Sequence, residues 1–131
     1  MARIASIAKT TAPASDVERA LLKIDGKAPV LRVVRVRYDD NGRPLSYEEV
    51  VLPLERFPGL ASDPSPGIFE LARRYGLSLG RATERATIAT ATADVASHLG
   101  IAARSNVVKL DRIIKTADGV PVEWRVAYFS A

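Results

Sequence analysis

The sequence predicts an α+β fold: a six-stranded antiparallel sheet with helices segregated from it, built from a duplicated β-α-β-β unit. Three observations carry that expectation. Shifted by 77 positions, residues 30–52 fall on 107–129 without a gap, bringing Val30 onto Val107, Arg35 onto Arg112, Gly42 onto Gly119 and Pro44 onto Pro121. Asn41-Gly42 and Asp118-Gly119 each lie between segments rich in β-branched residues, a strong hairpin signal. Ser15-Asp16-Val17-Glu18 and Thr92 each open a short helical stretch with a side chain able to cap it.

Taken in order, the first strand covers 3–10. The helix that follows starts from the Ser15/Glu18 capping box and runs to about Ile24, where Gly26 can take the left-handed position beyond the last turn. Residues 30–38 and 44–52 form the first hairpin, and Pro53 ends it. The run 57–67, with Pro58, Gly59, Pro64, Pro66 and Gly67, reads as a loop. Ser65-Pro66 then starts a helix whose Ile68, Leu71, Ala72 and Tyr75 share a face, and Gly76 stops it. The second unit repeats the plan: strand 83–91, a helix from Thr92 through Leu99 closed by Gly100, and a hairpin of 107–116 with 120–129. One domain over 1–131 is expected, with repeat units at about 3–53 and 81–130 joined by the loop and helix of 54–80.

Composition narrows the class. A chain of 131 residues, 47% hydrophobic and 26% charged, is an ordinary globular one. No apolar run approaches the ~20 residues of a membrane span. The opening residues meet Lys9 too early for a signal-peptide core. There is no cysteine, which excludes disulfides and thiol chemistry and fits a reducing compartment, so a cytoplasmic location is expected. The net charge of +4 is compatible with nucleic acid. Several arginines, however, sit inside apolar runs, and a buried arginine needs an anionic partner. That makes a small anionic ligand at least as good a reading as DNA.

The hairpins sharpen this. With two-residue turns, Arg35 faces Glu48 and Arg37 faces Ser46, while Arg112 faces Arg125 and Ile114 faces Glu123. Arg35 and Arg37 share one face of their strand. Like charges directly opposite are destabilising, so Arg112 and Arg125 call for a shared anion from Glu48, Glu123 or a ligand. Two readings stand open: a convergent ligand site, or edge arginines that are solvated or pair only with the glutamates.

Other chemistry finds no support. His98 is the single histidine and lies near a helix end, a helix-dipole or surface position. No spacing matches a metal site, no serine or threonine has a base and an orienting acid, and Gly76–Gly80 lacks the lysine of a phosphate loop. No cofactor is therefore expected. Tyr47 and Trp124 fall on equivalent positions and belong to the core. No helix-turn-helix precedes the sheet, and the first helix has too few basic residues to read DNA.

The run from Val30 to Arg37, followed by Asn41-Gly42-Arg43-Pro44-Leu45-Ser46-Tyr47-Glu48 and closing at Leu52-Pro53, resembles the UTRA domain. That is the effector-binding domain of GntR-type regulators of the HutC branch, related in fold to chorismate lyase. Ile68-Phe69-Glu70-Leu71, Tyr75-Gly76-Leu77, Asp111-Arg112-Ile113 and Asp118-Gly119-Val120-Pro121-Val122-Glu123 are similar to further landmarks of that family. The resemblance implies a homodimer that binds a small anionic effector and changes the spacing of two winged helix-turn-helix domains, which these residues do not include. It implies ligand contacts from Arg35 and Arg37, from Glu48 and from Glu123. Arg112 and Arg125 join these from the hairpin register, and Tyr128, where the family's tyrosine-rich ending begins, completes the candidate set. Arg125 and Ala127 stand where the family often has serines, so a more acidic ligand than a simple sugar phosphate is expected. Reversible binding without turnover is the main reading; the alternatives are a chorismate-lyase-like enzyme and a module that dimerises with a full-length regulator.

Overall fold

A computed structural model describes residues 3–60 and 67–130. The chain runs β1 (Arg3–Pro13), α1 (Asp16–Leu22), β2 (Pro29–Tyr38), β3 (Pro44–Pro53), a 3-10 turn at Leu54–Arg56, α2 (Ile68–Arg74), β4 (Leu79–Thr90), α3 (Ala93–Leu99), β5 (Asn106–Thr116) and β6 (Pro121–Ser130). All six strands join one antiparallel sheet in the order β1-β2-β3-β6-β5-β4. The 77-residue offset carries α1 onto α3, β2 onto β5 and β3 onto β6 to within a residue. The halves meet where β3 pairs with β6, and there Glu49 opposes Val126, two positions that the same offset superimposes. The sheet thus has an approximate two-fold axis through its centre.

Each turn is longer than the two residues its Asn-Gly or Asp-Gly pair suggests. Gly42 and Gly119 alone take the left-handed region (φ 78° and 84°), whereas a type I′ turn needs positive φ at both central residues. The N–H of Gly42 donates to the Asp39 carbonyl at 3.1 Å, and that of Gly119 to the Thr116 carbonyl at 2.9 Å. A register shift next to each turn absorbs the extra residue, leaving Arg35 opposite Glu48 and Arg112 opposite Arg125.

The ends of the other elements follow their caps. Ser15 and Glu18 satisfy each other's backbone amides at 2.7 and 3.2 Å, and Thr92 caps α3 through the Val95 amide at 3.2 Å. Gly100 closes α3 at φ 67°. At the end of α1, in contrast, Lys23 rather than Gly26 takes the left-handed position (φ 53°), because the helix stops two residues earlier than its apolar pattern suggests. α2 begins at Ile68 after Gly67; Ser65 and Pro66 lie outside the described residues. β1 and β4 run longer than their apolar residues indicate, since both pair along one side only and their exposed polar residues need no burial.

The two faces of the sheet are covered differently. On one, α1 and α3 cross to the opposite half: α1 lies against β6, and α3 against β3 and β6. Leu22, Ile24, Val30 and Val51 form one cluster there, and Val36, Tyr47, Val95, Leu99 and Val107 another. On the other face, α2 and the segment after β3 cap Leu31, Val33, Val50, Leu52 and Ile114 with Phe57, Leu60, Ile68 and Leu71. Phe57 and Leu60, at the start of the expected loop, are fully buried core residues. Each such side chain contributes about 1.5–3 kcal/mol by leaving water.

Candidate functional site

Strand alternation puts Arg35, Arg37, Ser46, Glu48, Arg112, Glu123 and Arg125 on the α2-covered face, beside the apolar cap. The sheet brings together six of the seven candidates. Tyr128 is the exception: it opposes Tyr47 on β3, with ring centroids 6.2 Å apart, and packs beneath α3 on the other face. Its odd spacing from Glu123 and Arg125 forces this, because successive side chains of a strand point to opposite sides.

Arg35 donates to Glu48 at 2.7 Å, and both are almost fully buried. Ser46 donates to the other Glu48 oxygen at 3.2 Å. Burial pushes the Glu48 carboxyl up, but Arg35, helped by Arg125 and Arg37, outweighs it and holds the group below its ordinary value. Glu123, 1% exposed, accepts from Arg125 at 2.9 Å. Here burial prevails over Arg125 and Arg35, with Glu48 adding repulsion, and the carboxyl is raised.

Arg112 and Arg125 do not share one anion. Arg125 turns along its own strand to Glu123, and Arg112 turns across to Glu84 on β4 at 3.2 Å. Four arginines therefore stand over two buried carboxylates, with Glu84 at the sheet edge. Among the described residues the buried Nε atoms of Arg37 and Arg112 have no hydrogen-bond partner. Arg56, at the end of the 3-10 turn that leads into the apolar cap, carries a third such Nε. Buried unpaired donors cost about 1–3 kcal/mol each, so the arrangement favours an added acceptor. Sequence reasoning passes over Arg56 and Glu84: the first lies in a segment without periodicity, and the second becomes visible only once β4 is known to pair with β5. On the opposite face a further ion pair joins Glu18 to Arg32 at 2.8 Å. His98 keeps its helix-end role, its Nδ1 2.9 Å from the Asp94 carbonyl.

Residues 2–131 match the UTRA domain model. The chain belongs to the UTRA domain family. It is 32% identical over 114 residues to the HTH-type transcriptional repressor PhnF of Mycolicibacterium smegmatis, an alignment covering 86% of this chain and 46% of that protein. The effector domain of PhnF from Mycobacterium smegmatis superimposes with a TM-score of 0.93 at 28% identity, over 100% of this chain and 82% of the other. A GntR-family transcriptional regulator from Enterococcus faecalis V583 shares the fold, with a TM-score of 0.85 at 18% identity over 98% of this UTRA chain and 94% of its own. This UTRA chain thus spans about half the length of the curated relative it matches. Among the described residues no helix is long and apolar enough to cross a membrane.

Proposed function

We propose that this UTRA domain is the sensing part of a bacterial GntR-type transcription regulator that reversibly binds a small anionic metabolite on its α2-covered face. The observation that carries this reading is the surplus of guanidinium groups there, with buried Nε atoms of Arg37 and Arg112 unpaired. The site supplies charge and hydrogen bonds for holding an anion, and its two carboxylates are already engaged by arginines, so binding without turnover is the chemistry it suits. The family relationship to a transcriptional repressor supports a DNA-binding domain as the partner, working in the bacterial cytoplasm.

The domain works as a homodimer. Its edge strands β1 and β4 are exposed along nearly their whole length, with Ile4 and Ile88 48% and 67% exposed. Such edges invite pairing. An effector would act by binding one arrangement of the dimer more tightly than another.

A thermal-shift panel of sugar phosphates, amino-acid catabolites and small dicarboxylates, each beside a neutral analogue, tests the reading. Anions alone should raise the melting temperature, and Arg37→Ala should abolish the rise. Arg37 is chosen because its buried Nε has no hydrogen-bond partner among the described residues, so its removal strands no bonded group. A rise that persists in Arg37→Ala, or product formed from a bound anion such as pyruvate from chorismate, would contradict it.

A further inference from the structure

The opposite face of the sheet holds a cavity of 290 Å3 that is separate from the arginine set. This volume lies near the lower end of small-molecule sites, about 300–1,000 Å3. It lies on the approximate two-fold axis, with Glu49 and Val126, the pair at that axis, both in its lining. Val34 and Val51 extend an aliphatic floor, and Trp124 forms one side. The Trp124 indole N–H is turned away to Asp111 at 2.8 Å, so the ring presents its apolar body rather than its donor.

The charges lining this cavity differ from those on the other face. Its one cation, Arg32, is taken by Glu18 in a two-bonded pair at 2.8 Å. Glu49 is exposed, and no Lys, Arg or His nitrogen lies within 4.0 Å of it among the described residues. The Tyr128 hydroxyl is hydrogen-bonded to Glu49, and the phenols of Tyr47 and Tyr128 are both raised, first by burial and then by the Glu49 charge. Asp111 and Asp94 add negative charge on neighbouring elements, and Lys109 and Arg85 stand beside Asp111 on the strands beyond. An anion would meet repulsion here. A neutral apolar molecule would leave Glu49 partly stripped of water with only the Tyr128 hydroxyl to offset the loss. The ligand that satisfies both carboxylate and floor carries a cationic head on an apolar body, as an arylalkyl or alkyl ammonium ion does.

We infer that this cavity is a second ligand site, specific for small organic cations, in which Glu49 takes the ammonium group and Val34, Val51, Val126 and Trp124 take the apolar body. It uses none of the arginines of the anion site, and the two sites read opposite charges from opposite faces. β3 serves both, carrying Glu48 to one face and Glu49 to the other.

Trp124 is the chain's single tryptophan and one wall of this cavity, so its fluorescence responds to occupancy here. The test is a titration of the whole chain with phenethylammonium, 2-phenylethanol and phenylacetate, read at Trp124. The cation should give a saturable change and bind about tenfold more tightly than the alcohol, the scale of one partly desolvated cation contact, while phenylacetate gives none. Glu49→Gln should remove the preference for the cation with the circular dichroism unchanged. Arg37→Ala should leave it intact, which separates this site from the anion site. Equal responses to cation and alcohol, a response that never saturates, or a preference that survives Glu49→Gln would overturn the inference.

Discussion

Where β2 opposes β3, Arg35 meets Glu48; at the corresponding place in the second half, β5 opposes β6 and Arg112 meets Arg125. The first pair closes on itself at 2.7 Å and is sealed from water. In the second, each arginine must look elsewhere, Arg125 to Glu123 and Arg112 to Glu84. The apolar floors differ in the same way. Leu31, Val33, Val50 and Leu52 lie under α2 and Phe57, whereas of their equivalents only Ala127 is buried and Val108, Leu110 and Phe129 stay half-buried, joining no core cluster among the described residues. The first half has the closed ion pair and most of the packed core, yet keeps Arg37 without a salt bridge, whereas the second half pairs its arginines singly and keeps apolar surface half-buried. Near-symmetric topology with asymmetric chemistry divides the ion pairs unevenly, a closed pair in the first half and two separate pairs in the second, while the proposed site draws arginines from both.

The largest effect tests that division. Glu48→Ala strands a buried guanidinium and should cost about 3–5 kcal/mol in urea unfolding. Arg125→Ala should cost less, about 1–2 kcal/mol, because Glu123 already has a raised pKa and can take up a proton. The sign of its pH dependence follows. A carboxyl raised in the folded state favours folding below its unfolded pKa and loses that contribution as pH rises toward the folded value. Arg125→Ala should therefore grow less stable from about pH 4.5 upward, more steeply than the parent chain. Equal costs for the two substitutions would break the comparison.

Next comes Glu18, which has no acidic counterpart in the second half, where Val95 stands. The hydrogen bond from Arg32 opposes desolvation and, with the Ser15 amide, lowers its pKa from 4.5 to about 2. A lowered carboxyl contributes stability above its unfolded pKa and loses it as pH falls through the folded value, here between 4.5 and about 2. Since Arg32 is 40% exposed, the contribution is discounted to about 2 kcal/mol. Glu18→Gln should remove it at neutral pH and flatten the acid limb of the stability curve. The smallest effect compares the caps: Thr92→Ala should cost about 1 kcal/mol, and Ser15→Ala somewhat more because its capping box is reciprocal. Chemical denaturation of the two variants checks the order.

Much of the fold and of the candidate site is legible in the residues themselves, and the physical reasons can be named. Strand period and turn residues determine register, so the Arg35–Glu48 contact and the Arg112–Arg125 conflict follow from counting alone. The assumed turn length is too short, yet the register survives because a bulge beside each turn restores it. Tyr128 enters the candidate set by resemblance, and strand alternation alone could have assigned it to the other face. Phe57 and Leu60 read as loop because their burial comes from a non-repetitive turn, which leaves no periodic trace. Glu84 and Arg56 stay hidden for a different reason: strand order and the packing of a connection are long-range facts that no local pattern encodes.

The central claim is that the surplus arginines form one anion site. Isothermal titration of the tightest anion from the thermal-shift panel, against the parent chain, Arg37→Ala and Arg112→Ala, tests it most directly. Each substitution should weaken binding by about 1.5–3 kcal/mol, the scale of a hydrogen bond to a charged group, with the fold retained. Undiminished affinity in both variants would contradict the account and make these arginines internal partners of Glu48, Glu84 and Glu123 only.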